Sequence, residues 1–193
     1  MNKEEKVCCK TEQFEAEVSV EEYMESCVDV PAFLECCRKC ANYEKVWSCP
    51  PYDFCPEDYW KKYQTLHIVG IKIYVPEEML TRTYGETQRN EMMQEIIFPY
   101  KKKLDQKLWM MEQKTDGSVA LSAGSCQTCL PNGCTRPEGK PCRHPERMRY
   151  SIESLGGNVG LTVTKYLKQN LLWMEEGKLP EYFILVGGLL IPA

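Results

Sequence analysis

Cys126, Cys129, Cys134 and Cys142 fall within seventeen residues, in the stretch CQTCLPNGCTRPEGKPC, with the spacing C-x2-C-x4-C-x7-C. Cysteines a few residues apart chelate one ion well, because the short turn between them aims both sulfurs the same way. The intervening residues include Pro131, Pro137, Pro141, Gly133 and Gly139 and carry almost no apolar periodicity. Packing alone therefore has little with which to order this loop. A metal or cluster that gathers four thiolates supplies that order. The spacing points strongly to ligation and leaves the metal open.

A second group of thiols lies upstream, in CCRKCANYEKVWSCPPYDFC. Here Cys37, Cys40 and Cys49 are the ligand candidates, with Cys36 or Cys55 as a fourth. Cys37-x2-Cys40 is the chelating pair, and Pro50-Pro51 fix the chain direction after Cys49. Tyr43 and Trp47 are placed to wall such a site from water. Behind the last thiol of the downstream loop stand Arg143, Arg147 and Arg149. They read in two ways: as cofactor-binding groups that neutralise a tetrathiolate or hold an anionic small molecule, or as ordinary surface arginines. His144 is near enough to substitute for a ligand, although four cysteines already complete that set. His67 lies in a strand and reads as a satisfied strand residue. Cys8 and Cys9 read as free thiols and Cys27 as a small buried hydrophobe.

Twelve cysteines in 193 residues, most of them in these two groups, suit metal or redox chemistry in a reducing cytoplasm better than a disulfide framework. The charged N-terminus carries no apolar stretch of a signal peptide, and no apolar run is long enough to span a bilayer. A net charge of −4 leaves no general basic surface for nucleic acid or an anionic membrane. With 43% hydrophobic residues the chain can bury one core.

The elements that must position the thiols follow from periodicity and caps. Residues 1–12 are expected as a mobile tail, and 13–193 as a single metal-binding domain. FEAEVSV alternates as a half-exposed strand. Ser19 with Glu22 forms a capping box for a helix to about Val28, and a second helix begins near Pro31 and leads to Cys36. Pro56 starts a short helix. Residues 66–75 read as an interior strand, and 86–114 as an amphipathic helix that Pro99 kinks or splits. Its stripe is Met93, Ile97, Tyr100, Leu104, Leu108 and Met111, with Lys101, Lys102 and Lys103 on the solvated face. The methionine pairs on this helix are read as packing rather than as a copper site. Residues 118–123 are a strand running into the Cys126 loop. A helix carrying the three arginines is expected up to Gly156, another over 161–176, and a buried strand near the end. The fold class is α+β (or α/β): one central sheet of about four strands covered by helices, with two cysteine-rich metal loops.

The motifs C-x2-C-x-N-Y…W-x-C-P-P and G-x-C-x2-C…P-C-R-x-P, from about Val30 to Leu190, resemble those of a family of uncharacterised bacterial and archaeal predicted metal-binding proteins. The resemblance falls on Cys37, Cys40, Cys49, Cys126, Cys129, Cys134 and Cys142, and on Arg143, Ser151, Glu153 and Gly156. The chain departs from it at Glu44-Lys45, where a glycine usually precedes the lysine. The resemblance implies metal binding and no particular reaction.

Seven matched cysteines do not divide into two sets of four. Either Cys36 or Cys55 is the eighth, or one site holds three thiolates and an open position. Three functions follow. One is an iron–sulfur protein with a [4Fe–4S] cluster on the downstream loop, serving electron transfer or a redox partner protein. Another is a zinc protein whose two sites staple loops for binding. The third is an enzyme with an open metal site and an anionic substrate held by the arginines. No phosphate loop, dinucleotide fingerprint or Ser-His-Asp order is present.

Overall fold

The computed structural model describes residues 9–193. Strand β1 (Thr11–Ser19) opens the described chain, paired from Thr11↔Ile73 onward, so strand order begins inside the segment expected as a tail. Residues 1–8, and with them Cys8, lie outside the described residues. Cys9 is buried, and its backbone N–H donates to the Tyr100 hydroxyl at 2.8 Å.

Ser19 ends β1 and caps the next element, its Oγ accepting from the Glu22 N–H at 3.2 Å. This is the expected start of α1 (Val20–Cys27), which buries Val20, Tyr23 and Cys27. Asp29 caps α2 (Val30–Arg38), whose last turn carries Cys36 and Cys37. The upstream cysteine loop leads to α3 (Pro56–Trp60), begun by Pro56 as expected. Next come β2 (Thr65–Tyr74), the single turn α4 (Glu77–Leu80) and the long α5 (Glu86–Glu112). Strand β3 (Val119–Leu121) feeds the downstream cysteine loop, and α6 (Val159–Lys165) and β4 (Tyr182–Ile191) complete the chain.

The four strands form one antiparallel sheet in the order β1-β2-β4-β3. The fold is α+β, as expected. Both sheet faces are covered, so alternate residues of the central strands β2 and β4 go to different cores. Val69 and Leu189 pack with Leu104 and Leu108 of α5. Leu66, Ile68, Val186 and Leu190 pack with Tyr23, Trp60, Ile152 and Leu155 on the other side. Gly187 permits the close approach of α5, since a Cβ there would meet Leu108 Cδ1 at 2.5 Å and the Leu121 carbonyl at 2.7 Å.

Four expectations change in the structure. Pro99 lies inside α5 without dividing it. Its buried seam is Ile96, Lys101, Leu104 and Leu108, so Lys101 is not on the solvated face. The helix expected directly after Cys142 does not form. The chain there makes a single turn from His144 to Met148 and then one parallel bridge just beyond β3, the Tyr150 carbonyl accepting from the Ser122 N–H at 2.8 Å, and only a 3₁₀ turn (Glu153–Leu155) forms before Gly156. A backbone whose carbonyl serves as a sheet acceptor is not free for helical pairing. The helix expected over 161–176 stops at Lys165, and Leu167 turns inward to fill the space above Gly70.

Candidate metal centre

The base of the downstream loop is held by α5. Lys101, only 5% exposed, donates from Nζ to the Ala123 carbonyl and to Asp105 Oδ2 at 3.2 Å. Asp105 Oδ1 accepts from the Ala123 N–H at 3.2 Å. One lysine and one aspartate four residues apart on a helix thus take both backbone groups of the residue at which β3 becomes the loop. Two helical turns beyond Asp105, Glu112 Oε2 accepts from the Ala120 N–H at 2.7 Å, covering the outer edge of the sheet. Glu112 is also paired with Arg149 through both carboxylate oxygens, at 2.7 Å for Arg149 Nε. Burial opposes the charge of Glu112, but the Arg149 and Ala120 donors outweigh it and hold its pKa below the ordinary value.

The four downstream thiols then line one cavity of about 480 Å³, with Asn42, Trp47 and His144 also on its wall. Burial raises the pKa of Cys142, the His144 backbone N–H opposes this, and Cys126, Cys129 and Cys134 raise it further as neighbours. Arg143 donates to the Gly133 carbonyl at 2.8 Å and so braces the loop from within.

The upstream loop is docked onto this one. Cys126 N–H donates to Ser48 Oγ at 2.9 Å, Asn42 Nδ2 donates to Ser125 Oγ at 3.1 Å, and Trp47 Nε1 donates to the Lys140 carbonyl at 3.2 Å. The main clamp is Arg136. Its guanidinium donates to the carbonyls of Val46 at 2.9 Å and Pro51 at 2.6 Å, and to that of Cys49. It also stands 5.3 Å from the centre of the Trp47 ring. A planar fork with five donors suits three diverging carbonyls as an ammonium would not. Sequence reasoning missed Arg136, Ser48 and Lys101. The one available signal was that Arg136 is the sole arginine between the thiols of its loop.

Within the upstream loop, Cys37, Cys40 and Cys49 are mutual electrostatic neighbours. Burial pushes the Cys49 thiol up to about 11, against the opposing Ser48 hydrogen bond and Arg136 charge. Burial likewise raises Cys37. Thiols held this way lose their protons to a metal rather than to water, so metal uptake releases protons. Cys36 is exposed on α2, and Cys55 is exposed at the start of α3, its Sγ donating to Glu57 Oε2 at 3.0 Å. Among the described residues no three His, Cys, Asp or Glu side chains converge as a finished metal site. The thiols stand around a common space rather than on one point. The donor chemistry nevertheless fits a thiophilic metal or cluster, because each loop collects at least three sulfurs and the second lines its cavity with four.

The arginine trio is dispersed. Arg147 and Arg149 line a second cavity of about 330 Å³ that shares Cys126 with the first and includes Lys102 and Trp109. Arg147 stacks 4.0 Å from the Trp109 ring centre, whereas the charge of Arg149 is matched by Glu112. Arg143 is not on that wall. His67 lies on the sheet between Glu15, 3.2 Å away, and Glu17, as a satisfied strand residue.

A family model described as "Predicted metal-binding protein (DUF2284)" matches residues 24–191. No curated protein and no solved structure matches the chain.

Proposed function

From the premise that the chain belongs to the DUF2284 family of predicted metal-binding proteins, we propose that its two docked cysteine loops form an iron–sulfur protein with an electron-transfer or redox-support role. A [4Fe–4S] cluster is assigned to Cys126, Cys129, Cys134 and Cys142. The observation that carries this is the four-thiol wall around about 480 Å³ of space. A four-cysteine zinc ion would draw the same sulfurs to about 2.3 Å from a single point. When bound, a cluster of this type exchanges one electron with a partner. The protein's part is to hold the thiolates, to shield them with Trp47 and to brace the loop through Arg143 and Arg136. A reducing cytoplasm keeps the thiols available for this role. Among the described residues, no helix is long and apolar enough to cross a membrane.

Purification without oxygen, with iron, zinc and sulfide analysis, tests the assignment. About four irons and four sulfides per chain with a brown chromophore, lost in Cys129→Ser, is the expected result. Zinc without sulfide would refute the cluster and leave a zinc-stapled binding module.

The second cavity favours an additional role in binding a small anion. Lys102 and Arg147 present positive charge beside the apolar walls of Phe98, Leu108 and Trp109, next to Cys126. This is the arrangement expected if a carboxylate or phosphate compound is handled beside the metal. Arg147→Ala should keep the metal content and weaken binding of inorganic phosphate. Unchanged phosphate affinity would return Arg147 to surface charge.

A further inference from the structure

In the upstream loop Cys49 is buried, Cys37 half-buried and Cys40 exposed, the three being electrostatic neighbours, and Cys36 adjoins Cys37 alone of them. Cys36 follows the helix one position before Cys37, so the two side chains leave α2 about 100° apart. Cys36 is exposed accordingly, and Cys55 is engaged with Glu57. A different donor stands on the buried side. The C-terminal half of this region packs the 3₁₀ turn Glu153–Leu155 against α2, locked by the Asp29 N–H donating to the Gly156 carbonyl at 2.9 Å. A Cβ on Gly156 would come within 2.7 Å of Val30 Cα, so the contact is as close as backbone allows.

At this contact Glu153 is turned inward. Its Oε2 is sealed from solvent and has no hydrogen-bond partner, although part of the residue reaches the surface. The carboxylate receives its own backbone N–H and the Ser151 hydroxyl, and Lys101 acts on it only at a distance. The Lys101 ammonium itself donates to Asp105 and the Ala123 carbonyl. Tyr23, another neighbour, has its hydroxyl paired with Thr162 at 2.6 Å. On the remaining side stands Cys37. Tyr52 closes the group, its hydroxyl donating to the Ser48 carbonyl at 2.8 Å, with Cys37 and Cys49 as electrostatic neighbours. A buried carboxylate oxygen without a partner is unfavourable unless a proton or a cation answers it.

We propose that Glu153 is the fourth protein donor of the metal group held by Cys37, Cys40 and Cys49, giving a three-sulfur, one-oxygen set. Zinc and iron both accept a carboxylate beside thiolates, and its single hard oxygen makes the upstream site chemically distinct from the four-thiol site downstream. The two loops therefore do not carry two copies of one centre. The inference rests on the metal-binding reading above and accounts for the odd number of cysteines on which the sequence resemblance falls.

Cobalt(II) alone is the probe, titrated into full-length chain stripped of metal under reducing conditions, with the thiolate charge-transfer bands and bound cobalt followed together. Glu153→Gln should weaken the upstream equivalent at least tenfold and leave the Cys126-dependent equivalent unchanged. Glu153→Cys should restore binding and raise the charge-transfer intensity of that equivalent by about a third, since three sulfurs become four. Wild-type affinity and bands in Glu153→Gln overturn the proposal. If that variant does not fold, as judged by circular dichroism, an unaltered spectrum in Glu153→Cys overturns it instead. Wild-type chain whose cobalt uptake is indifferent to Cys40→Ser would overturn the upstream metal site as a whole, which separates failure of the site from failure of its fourth donor.

Discussion

The docking of the two cysteine loops should depend on Arg136 more than on any other single side chain. Arg136→Ala removes three hydrogen bonds from a charged donor to the carbonyls of Val46, Cys49 and Pro51, and the stacking on Trp47. Bonds to a charged group contribute roughly 1.5–3 kcal/mol each when well shielded. Arg136 is half-buried, and water can take over carbonyls that open to solvent, so the sum falls to about 2 kcal/mol. Order in the upstream loop and its metal affinity are thermodynamically linked, so the loss should appear as about thirtyfold weaker metal retention there. Arg136→Lys keeps the charge but offers no fork, and should recover only part of the loss. Competition with a chromogenic chelator, with iron or zinc counted per chain and the fold checked by far-ultraviolet circular dichroism, measures the effect. A folded Arg136→Ala chain that yields its upstream metal no more readily than wild type would refute the clamp.

Gly156→Ala should cost about 3 kcal/mol, since its φ of +86° disfavours a side chain and the new Cβ would press on Val30. A drop in Tm of about 9 °C by calorimetry is expected at this chain length. The Glu112–Arg149 pair makes stability acid-sensitive. Because the folded pKa of Glu112 lies below its ordinary 4.5, its contribution is complete above pH 4.5 and is lost as pH falls through the lower folded value. Arg149→Met should therefore lose about 2 kcal/mol near neutrality and much less in acid, a difference read from urea midpoints at the two pH values. Trp60 is fully buried and its Nε1 donates to the Leu155 carbonyl at 2.9 Å. Trp60→Phe keeps most of the ring but strands that carbonyl, at about 2 kcal/mol in chemical denaturation.

What the sequence determined by itself was local. Ser19 and Asp29 capped helices where a side-chain oxygen could reach the first free N–H groups, Pro56 began α3, and the alternation of residues 14–18 marked a strand. The thiol groups were equally legible, since chelating spacing is a property of neighbouring residues. Local patterns misled where a distant partner claimed the backbone. The segment carrying Arg147 and Arg149 has helical composition, yet after one turn from His144 to Met148 Ser122 takes the Tyr150 carbonyl and no helix propagates. Lys101 reads as one of three solvated lysines until Ala123 and Asp105 take its ammonium inside.

Tertiary structure alone decided that the two cysteine loops are one module. Arg136 reaches across some ninety residues to three carbonyls, and a carbonyl is present at every residue, so no side-chain pattern announces which ones it will find. The same holds for Glu153. The sequence resemblance falls on it, but the unpaired oxygen near Cys37 exists only once α2 and the 3₁₀ turn have closed around it. Spacing supplies donors along a chain; burial decides which of them lack every partner but a metal.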